Sequence, residues 1–384
     1  MDLPQNIALY ALLLAGVVAG YLLGRKDRTK RRPQKAVIKD YYQGLNFLLG
    51  DKPELGVDRF IDAMEVSDVT IDVHLAMASV VRRRGEMDKA IRIHQNLLAS
   101  PVLNNTNKQL VEMELARDYH AAGLLDRAEK LLEQIAQRKG AQELPALELL
   151  LDLYEQERDW QRAIDISSKL TKSSSETRVR VAHFHCEMAE HALTQGMLKK
   201  AVACARKARE LAPNEARGYW VAAQIEMSLK HHKRVLRYVQ KAVELAPQLV
   251  SAYLDTYRTT CENMGNDEEY ERFLRHSMSL YPDSSLLRAL IDFRRKNGRD
   301  VADDELVEEI AKAPSFGHLP LLLEIGQRNP EATEVRRQVA RIVAMQAGYQ
   351  CGNCGFTSQS VQWHCPGCRR WGTFGTANKV KEAL

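Results

Sequence analysis

The sequence predicts an all-α chain with a different kind of segment at each end. Three observations carry this. Amphipathic helical runs recur about every 34 residues through the middle, the opening stretch lacks charge after Asp2, and four of the seven cysteines fall close together near the end. The composition, 45% apolar and 27% charged over 384 residues, is globular and long enough for two or three domains. With only 7% aromatic residues, helix is favoured over an all-β build. Seven cysteines are too sparse for a disulfide scaffold.

Leu3 to Gly24 contains no charged side chain. About 20 helical residues cross a bilayer core, so residues 1–24 are expected to form a single transmembrane helix, with Tyr10 and Tyr21 near its ends. A cleaved signal peptide would carry its positive charge before the apolar run. Here Asp2 precedes it and Arg25-Lys-Asp-Arg-Thr-Lys-Arg-Arg32 follows. Basic residues stay on the cytoplasmic side, which predicts a single-pass membrane protein with a cytoplasmic C-terminal body. Residues 25–39 form the basic juxtamembrane segment.

The net charge of +5 resides largely in that segment, where eight Lys and Arg stand against Asp27 alone. Everything after residue 39 sums to nearly zero, and this argues against nucleic acid as a partner.

From residue 40 to 285 one pattern repeats. Gly85-Glu-Met-Asp-Lys-Ala90, Gly123-Leu-Leu-Asp-Arg-Ala128, Arg158-Asp-Trp-Gln-Arg-Ala163 and Gly196-Met-Leu-Lys-Lys-Ala201 are its clearest copies. Weaker ones run from Lys230 to Val235 and from Gly265 to Tyr270, and an earlier one centres on Gly56. Pro213, Pro247 and Pro282 close three successive copies at one offset. This resembles the tetratricopeptide repeat, a helix–turn–helix unit. Glycine permits positive φ at the turn, alanine lets two helices approach, and proline ends the second helix. Each pair exposes an apolar face that only its neighbour covers, so the expectation is a right-handed solenoid. Residues 286–347 lose the phase. Helical runs remain at Leu286 to Lys296, Asp304 to Lys312, Leu319 to Arg328 and Thr333 to Gln346, read as degenerate repeats or a cap. Such solenoids bind along the face lined by the first helix of each pair. Aligning the units places Arg82, Arg83, Arg117, His120, Asp152, Glu190 and Arg217 there as candidate partner-binding residues of mixed sign.

Residues 348–384 hold Cys351-Gly-Asn-Cys354 and Cys365-Pro-Gly-Cys368, two Cys-x-x-Cys knuckles ten residues apart. Each such turn points two thiolates at one ion, and two turns complete a tetrahedron. Four protein ligands leave no position for a catalytic water, so the site reads as structural, holding one iron or zinc ion. The knuckles resemble those of rubredoxin, with a much shorter spacer, which makes this a small rubredoxin-like or zinc-ribbon domain. A segment this short depends on its metal to fold, with Trp363, Trp371 and Phe374 as packing around the ion.

No enzyme is expected. His185-Cys-Glu187 with a later Cys-Pro-x-Cys differs from the zinc deaminases, which place Pro before the first Cys of the pair. His183, His185 and His191 read as ordinary repeat-helix residues, and Cys186, Cys204 and Cys261 as small core residues. No phosphate loop, nucleophile elbow or dinucleotide fingerprint is present.

The anchor, the basic block, the repeats and the four-cysteine pair together resemble the lipopolysaccharide assembly protein B family of Gram-negative bacteria. The sharpest matches are Arg84-Gly-Glu-Met-Asp-Lys-Ala-Ile-Arg-Ile-His94, Ala121 to Glu129, Ala182-His-Phe-His-Cys-Glu187 and Trp363-His-Cys-Pro-Gly-Cys-Arg369. The resemblance implies an inner-membrane adaptor that restrains lipopolysaccharide synthesis by promoting degradation of the deacetylase LpxC by the membrane AAA+ protease FtsH. It also implies contacts with other lipopolysaccharide synthesis and transport proteins, and with a regulatory inner-membrane protein through the membrane segment. A redox- or metal-sensing membrane-tethered module is the alternative.

Overall fold

The computed structural model describes residues 70–323 and 348–377, except 139, 171–173, 300–302 and 313–315, together with residues 337, 339 and 341. The expected anchor at 1–24, the basic block at 25–39 and the repeat centred on Gly56 lie outside the described residues, as does most of the helical run expected at 333–346. No described helix is long and apolar enough to cross a membrane.

The described helices alternate as the repeat predicts. They are α1 (Ile71–Arg83), α2 (Met87–Ala99), α3 (Asn105–Ala121), α4 (Leu125–Gln137), α5 (Glu143–Glu157), α6 (Trp160–Lys169), α7 (Ser175–Thr194), α8 (Leu198–Leu211), α9 (Ala216–Ser228), α10 (His232–Leu245), α11 (Leu254–Met264), α12 (Asp267–Leu280), α13 (Ser284–Lys296) and α14 (Asp303–Lys312). A 3-10 turn at Pro247–Ala252 precedes α11. The described part of the helix expected at 319–328 is one short turn, α15 (Leu319–Leu322).

One local device makes every turn between paired helices. Gly85, Gly123, Gly196 and Gly265 have φ of 84, 73, 71 and 61°. At the same offset stand Arg158 and Lys230, which hold the left-handed conformation at φ 58° without being glycine. The residue after each donates its N–H back five residues, as in Glu86 to Val81, Met197 to Ala192 and His231 to Glu226, at 3.2, 2.8 and 2.9 Å. These bonds satisfy carbonyls orphaned at the end of the first helix. Five residues beyond the positive-φ position, Ala90, Ala128, Ala163, Ala201 and Val235 are each fully buried. A small side chain there lets the second helix close onto the first.

The helices group into two compact units, residues up to 153 and residues from 154. In the first, Met77, Ala78 and Val81 of α1 pack with Ala90, Ile93 and Leu97 of α2 and Val111 of α3. A charged cluster is enclosed beside this core. Arg82 donates to Asp118 Oδ1 at 2.8 Å and Glu114 Oε2 at 2.7 Å, while His94 Nδ1 meets Asp118 Oδ2 at 2.5 Å. In the second unit, α7 and α8 meet through Ala182, Ala189, Ala201, Ala205 and Ala208. Leu287 and Ile291 of α13 pack with Leu306 and Ile310 of α14 and Leu321 of α15.

The second unit also contains a three-stranded antiparallel sheet in the order β2 (Thr357–Ser358), β1 (Tyr349–Cys351), β3 (Phe374–Thr376). Tyr349 pairs with Ser358 on one side and Thr376 on the other, and Cys351 pairs with Phe374. The described fold is thus a mostly helical repeat protein with a small C-terminal ribbon.

Candidate metal centre and its seat on the repeats

Each Cys-x-x-Cys turn folds by the same hydrogen bonds. Cys351 N–H donates to Phe356 O at 2.8 Å and Gly355 N–H returns to Cys351 O at 3.0 Å. In the second turn Cys365 N–H donates to Arg370 O at 2.9 Å and Arg369 N–H returns to Cys365 O at 2.8 Å. Gly355 and Arg369, each four residues after a cysteine, have φ of 79 and 56°. A Cβ at Gly367 would lie 3.2 Å from Cys354 Sγ, tighter than an ordinary contact, so a side chain there would press on that sulfur.

The four sulfurs lie within 4.8 Å of one another. Cys351 and Cys368 are 3.7 Å apart, Cys354 and Cys365 3.6 Å. A tetrahedron with Zn–S bonds of ~2.3 Å has edges of about 3.8 Å, so the sulfurs fit one tetrathiolate ion. The protons of such a set are unequally held. Burial pushes the Cys351 thiol up, but hydrogen bonds from Thr373 and from the N–H groups of Cys354 and Asn353 outweigh it and bring it down to about 6. At Cys354 the Phe356 N–H favours the thiolate, and desolvation with the neighbouring sulfurs overrides it, to about 11. Metal binding must therefore displace protons. A bound ion would offset part of the charge of the four thiolates, with all four positions filled by protein sulfur.

The ribbon is seated on the helices of its own unit. Trp371 donates its indole N–H to Glu155 Oε1 of α5 at 2.7 Å. Arg180 of α7 holds the other carboxylate oxygen. The Trp371 ring stacks with two imidazoles, His183 of α7 at 4.8 Å and His364 of the ribbon at 4.5 Å. It turns its edge to the stacked pair Trp160 and Phe184, 6.1 Å from each. Arg217 of α9 places its guanidinium over Trp363 at 5.8 Å and over Trp371 at 5.4 Å. Its Nη2 donates to Glu187 at 2.6 Å and Glu190 at 2.8 Å. Two hydroxyl pairs pin the sheet, Tyr349 to Ser251 at 2.9 Å and Tyr281 to Thr376 at 2.8 Å. Beneath them Tyr349, Cys351, Cys365 and Phe374 join one apolar cluster with Leu249, Val250 and Tyr253. His183 is almost fully enclosed. Burial, then the charges of Arg217 and His364, lower its pKa to about 3, so it is neutral against Trp371.

The structure brings the four expected cysteines together and redistributes the expected partner-binding residues. Arg217, expected on the open face, is 2% exposed and held by two carboxylates beneath the ribbon. Glu190 is committed to the same pair. Arg82 is 17% exposed and bound to Glu114 and Asp118. Arg83, Arg117 and Asp152 are exposed, and His120 is half-buried. Cys186 and Cys261 are buried as expected, while Cys204 is half-buried. Of the three aromatic residues expected around the ion, Phe374 packs within the ribbon on Phe356, and Trp371 faces the helices instead. His183 is more than an ordinary repeat-helix residue, and Glu155, Trp160, Ser251 and Tyr281 are seat residues that sequence reasoning did not single out. The one signal they left was the clustering of His and aromatic residues at Trp160 and at His183-Phe184-His185.

Comparison with known proteins agrees with this geometry. Residues 349–375 match a rubredoxin metal binding domain and residues 73–108 a tetratricopeptide repeat. Lipopolysaccharide assembly protein B of Escherichia coli K12 is 30% identical over 95% of this chain and 96% of its own length. Its counterpart in Haemophilus influenzae is 26% identical over 94% of this chain and 96% of its own. Repeats, ribbon and full-length similarity converge: the chain belongs to the lipopolysaccharide assembly protein B family.

Proposed function

We propose that this protein is a single-pass inner-membrane adaptor that regulates lipopolysaccharide synthesis rather than catalysing a step of it. It brings the deacetylase LpxC to the membrane protease FtsH, and also meets other lipopolysaccharide synthesis and transport proteins. A regulatory inner-membrane protein meets it through residues 1–24. The observation that carries the reading is the construction of the second unit: a closed four-sulfur site spends all its ligands on fixing a ribbon to repeat helices, while the repeats leave exposed faces free for proteins. Anchoring such a body beside a membrane protease raises the local concentration of whatever it holds.

The test is a strain lacking the protein, complemented with the full chain or with a chain lacking residues 1–24. LpxC should be short-lived only with the full chain. Purified full chain should bind LpxC or FtsH and leave LpxC intact in the absence of FtsH. Cleavage of LpxC by the chain alone, or equal LpxC lifetimes in all strains, would sink the reading.

A further inference from the structure

The near-neutral sum of charge beyond residue 39 conceals a segregation that the fold makes visible. On α8, Lys199, Lys200, Arg206, Lys207 and Arg209 stand against Glu210 alone. On α10, Lys233, Arg234, Arg237 and Lys241 stand against Glu244 alone, and Lys230 precedes the helix. These are the second helices of successive pairs. The second helix of the following pair reverses the sign, with Asp267, Glu268, Glu269 and Glu271 against Arg272 and Arg275.

The two basic helices form one surface. Arg209 of α8 lies over the Tyr238 ring of α10 at 4.8 Å, and Arg237 lies over the same ring at 5.8 Å. Except for the half-buried Arg209, all of the named basic side chains on the two helices are exposed, as is Lys230. The few acids nearby are already shared. Glu210 meets Arg206 and Lys207, and Glu244 meets Lys241, all at 3.0–3.8 Å. Two apolar side chains, Met197 at 44% and Val202 at 40% exposure, open onto the α8 side of this surface.

We propose that the α8–α10 face rests on an anionic phospholipid surface, orienting the body against the membrane that anchors it. Six of the exposed basic residues are lysines. Lysine is a hydrated point charge on a flexible stem, suited to a fluid layer of headgroups, and it is depleted in the cores of protein interfaces. Lys–headgroup attraction is electrostatic and short-ranged in salt. The inference rests on the anchored reading, since the uncharged run at 3–24 and the basic block after it are what keep this face near a bilayer.

The experiment is lysine footprinting of the full chain, by brief acetylation and mass spectrometry, in nanodiscs of phosphatidylcholine alone or with phosphatidylglycerol. Lys199, Lys200, Lys230 and Lys233 should lose reactivity about five-fold each in the anionic discs, and recover at high salt while the chain stays in the disc. Lys89, Lys130 and Lys169, on other helices, should not change. A variant with Lys199, Lys200, Lys230 and Lys233 changed to Glu should keep its helical circular dichroism, and its remaining Lys207 and Lys241 should react equally in both discs. Equal reactivity of the native chain in both discs overturns the proposal, as does protection of these lysines only when RNA or an acidic polypeptide is added. A chain that elutes apart from the discs refutes the anchor. The same footprint with phosphatidylglycerol vesicles then decides the face: protection there upholds it, and none overturns it.

Discussion

The indole N–H of Trp371 reaches Glu155 Oε1 at 2.7 Å, joining the ribbon to a helix more than two hundred residues earlier in the chain. Glu155 is 8% exposed and also binds Arg180, so its carboxylate is desolvated and paired from two sides. Trp371→Phe keeps an aromatic ring beside His183 but leaves that buried oxygen one donor short, at about 1–3 kcal/mol. Trp371→Ala also removes the ring that stacks with both imidazoles and should cost about 3–5 kcal/mol. Hydrogen exchange should show residues 348–377 opening in that order of severity. If Trp371→Ala leaves their protection unchanged, the seat does not depend on this residue.

Removing the metal should act through the same seat. Cys354→Ser deletes one corner of the sulfur tetrahedron, and the full chain should go from one bound iron or zinc per molecule to almost none. The ribbon should lose protection, while the helical circular dichroism largely persists, because the repeats close on their own alanine-rich seams. Metal analysis distinguishes iron from zinc. Equal metal content in the native chain and the variant would refute the four-sulfur assignment.

The seat should weaken in acid through His183. Its pKa is about 3 when docked, against an ordinary value of 6.5, so between these limits the opened state binds a proton that the docked state refuses. Docking stability is then full above pH 6.5 and falls as pH drops towards 3, by up to about 1.4 kcal/mol per unit. Glu190 and Glu215 act in the opposite sense. Burial raises both, so near and above 4.5 the docked state holds their protons better. Comparing the native chain with His183→Phe isolates the imidazole, since phenylalanine keeps a ring beside Trp371. The difference in ribbon protection between the two should change with pH from 6.5 downward. A constant difference would show that His183 is not protonated on opening.

Two positions in the repeat turns carry strain that glycine would relieve. Arg158 and Lys230 hold φ of 58° where five equivalent positions, Gly298 among them, have glycine. Arg158→Gly should raise stability by roughly 0.5–1 kcal/mol, the left-handed penalty less the extra chain entropy of glycine. Gly196→Ala, where nothing lies within 4 Å of the added Cβ, should cost about 1 kcal/mol through φ alone. Thermal melts of the two variants should shift in opposite directions.

These turns show how far the sequence could be read. The 34-residue step located Gly85, Gly123, Gly196 and Gly265, and Ala90 to Tyr270, because turn geometry and close helix approach are local requirements with one cheap solution each. The sulfur tetrahedron was legible for the same reason. The seat was not. Glu155, His183, Arg217 and Trp371 are brought together by stacking of separate repeats, and nothing in their own neighbourhoods fixes what lies opposite. Aligning units identified the first-helix positions of Glu190 and Arg217 but could not reveal that Arg217 lies against the chain's own ribbon. The charge sum failed similarly, since adding residues along a chain averages over faces that the fold separates.

The same correction changes how partner binding on the first unit should be tested. Arg82, Arg83 and Arg117 look equivalent in sequence, yet Arg82 is bonded to Asp118, a carboxylate with no exposure that also holds His94. Arg82→Glu would place a third carboxylate beside Glu114 and Asp118 and remove the cation that both of them share. It should cost about 3–5 kcal/mol and unfold the helices around α1 to α3. Arg83→Glu and Arg117→Glu change exposed side chains and should move stability by no more than about 0.5 kcal/mol. Of the three arginines, these two can therefore report on binding. If the first-helix face of this unit contacts LpxC or FtsH, the Arg83→Glu, Arg117→Glu double variant should keep the native melting temperature and lose affinity for one of them. Unaltered affinity for both, at an unaltered melting temperature, would remove these two residues from the binding face.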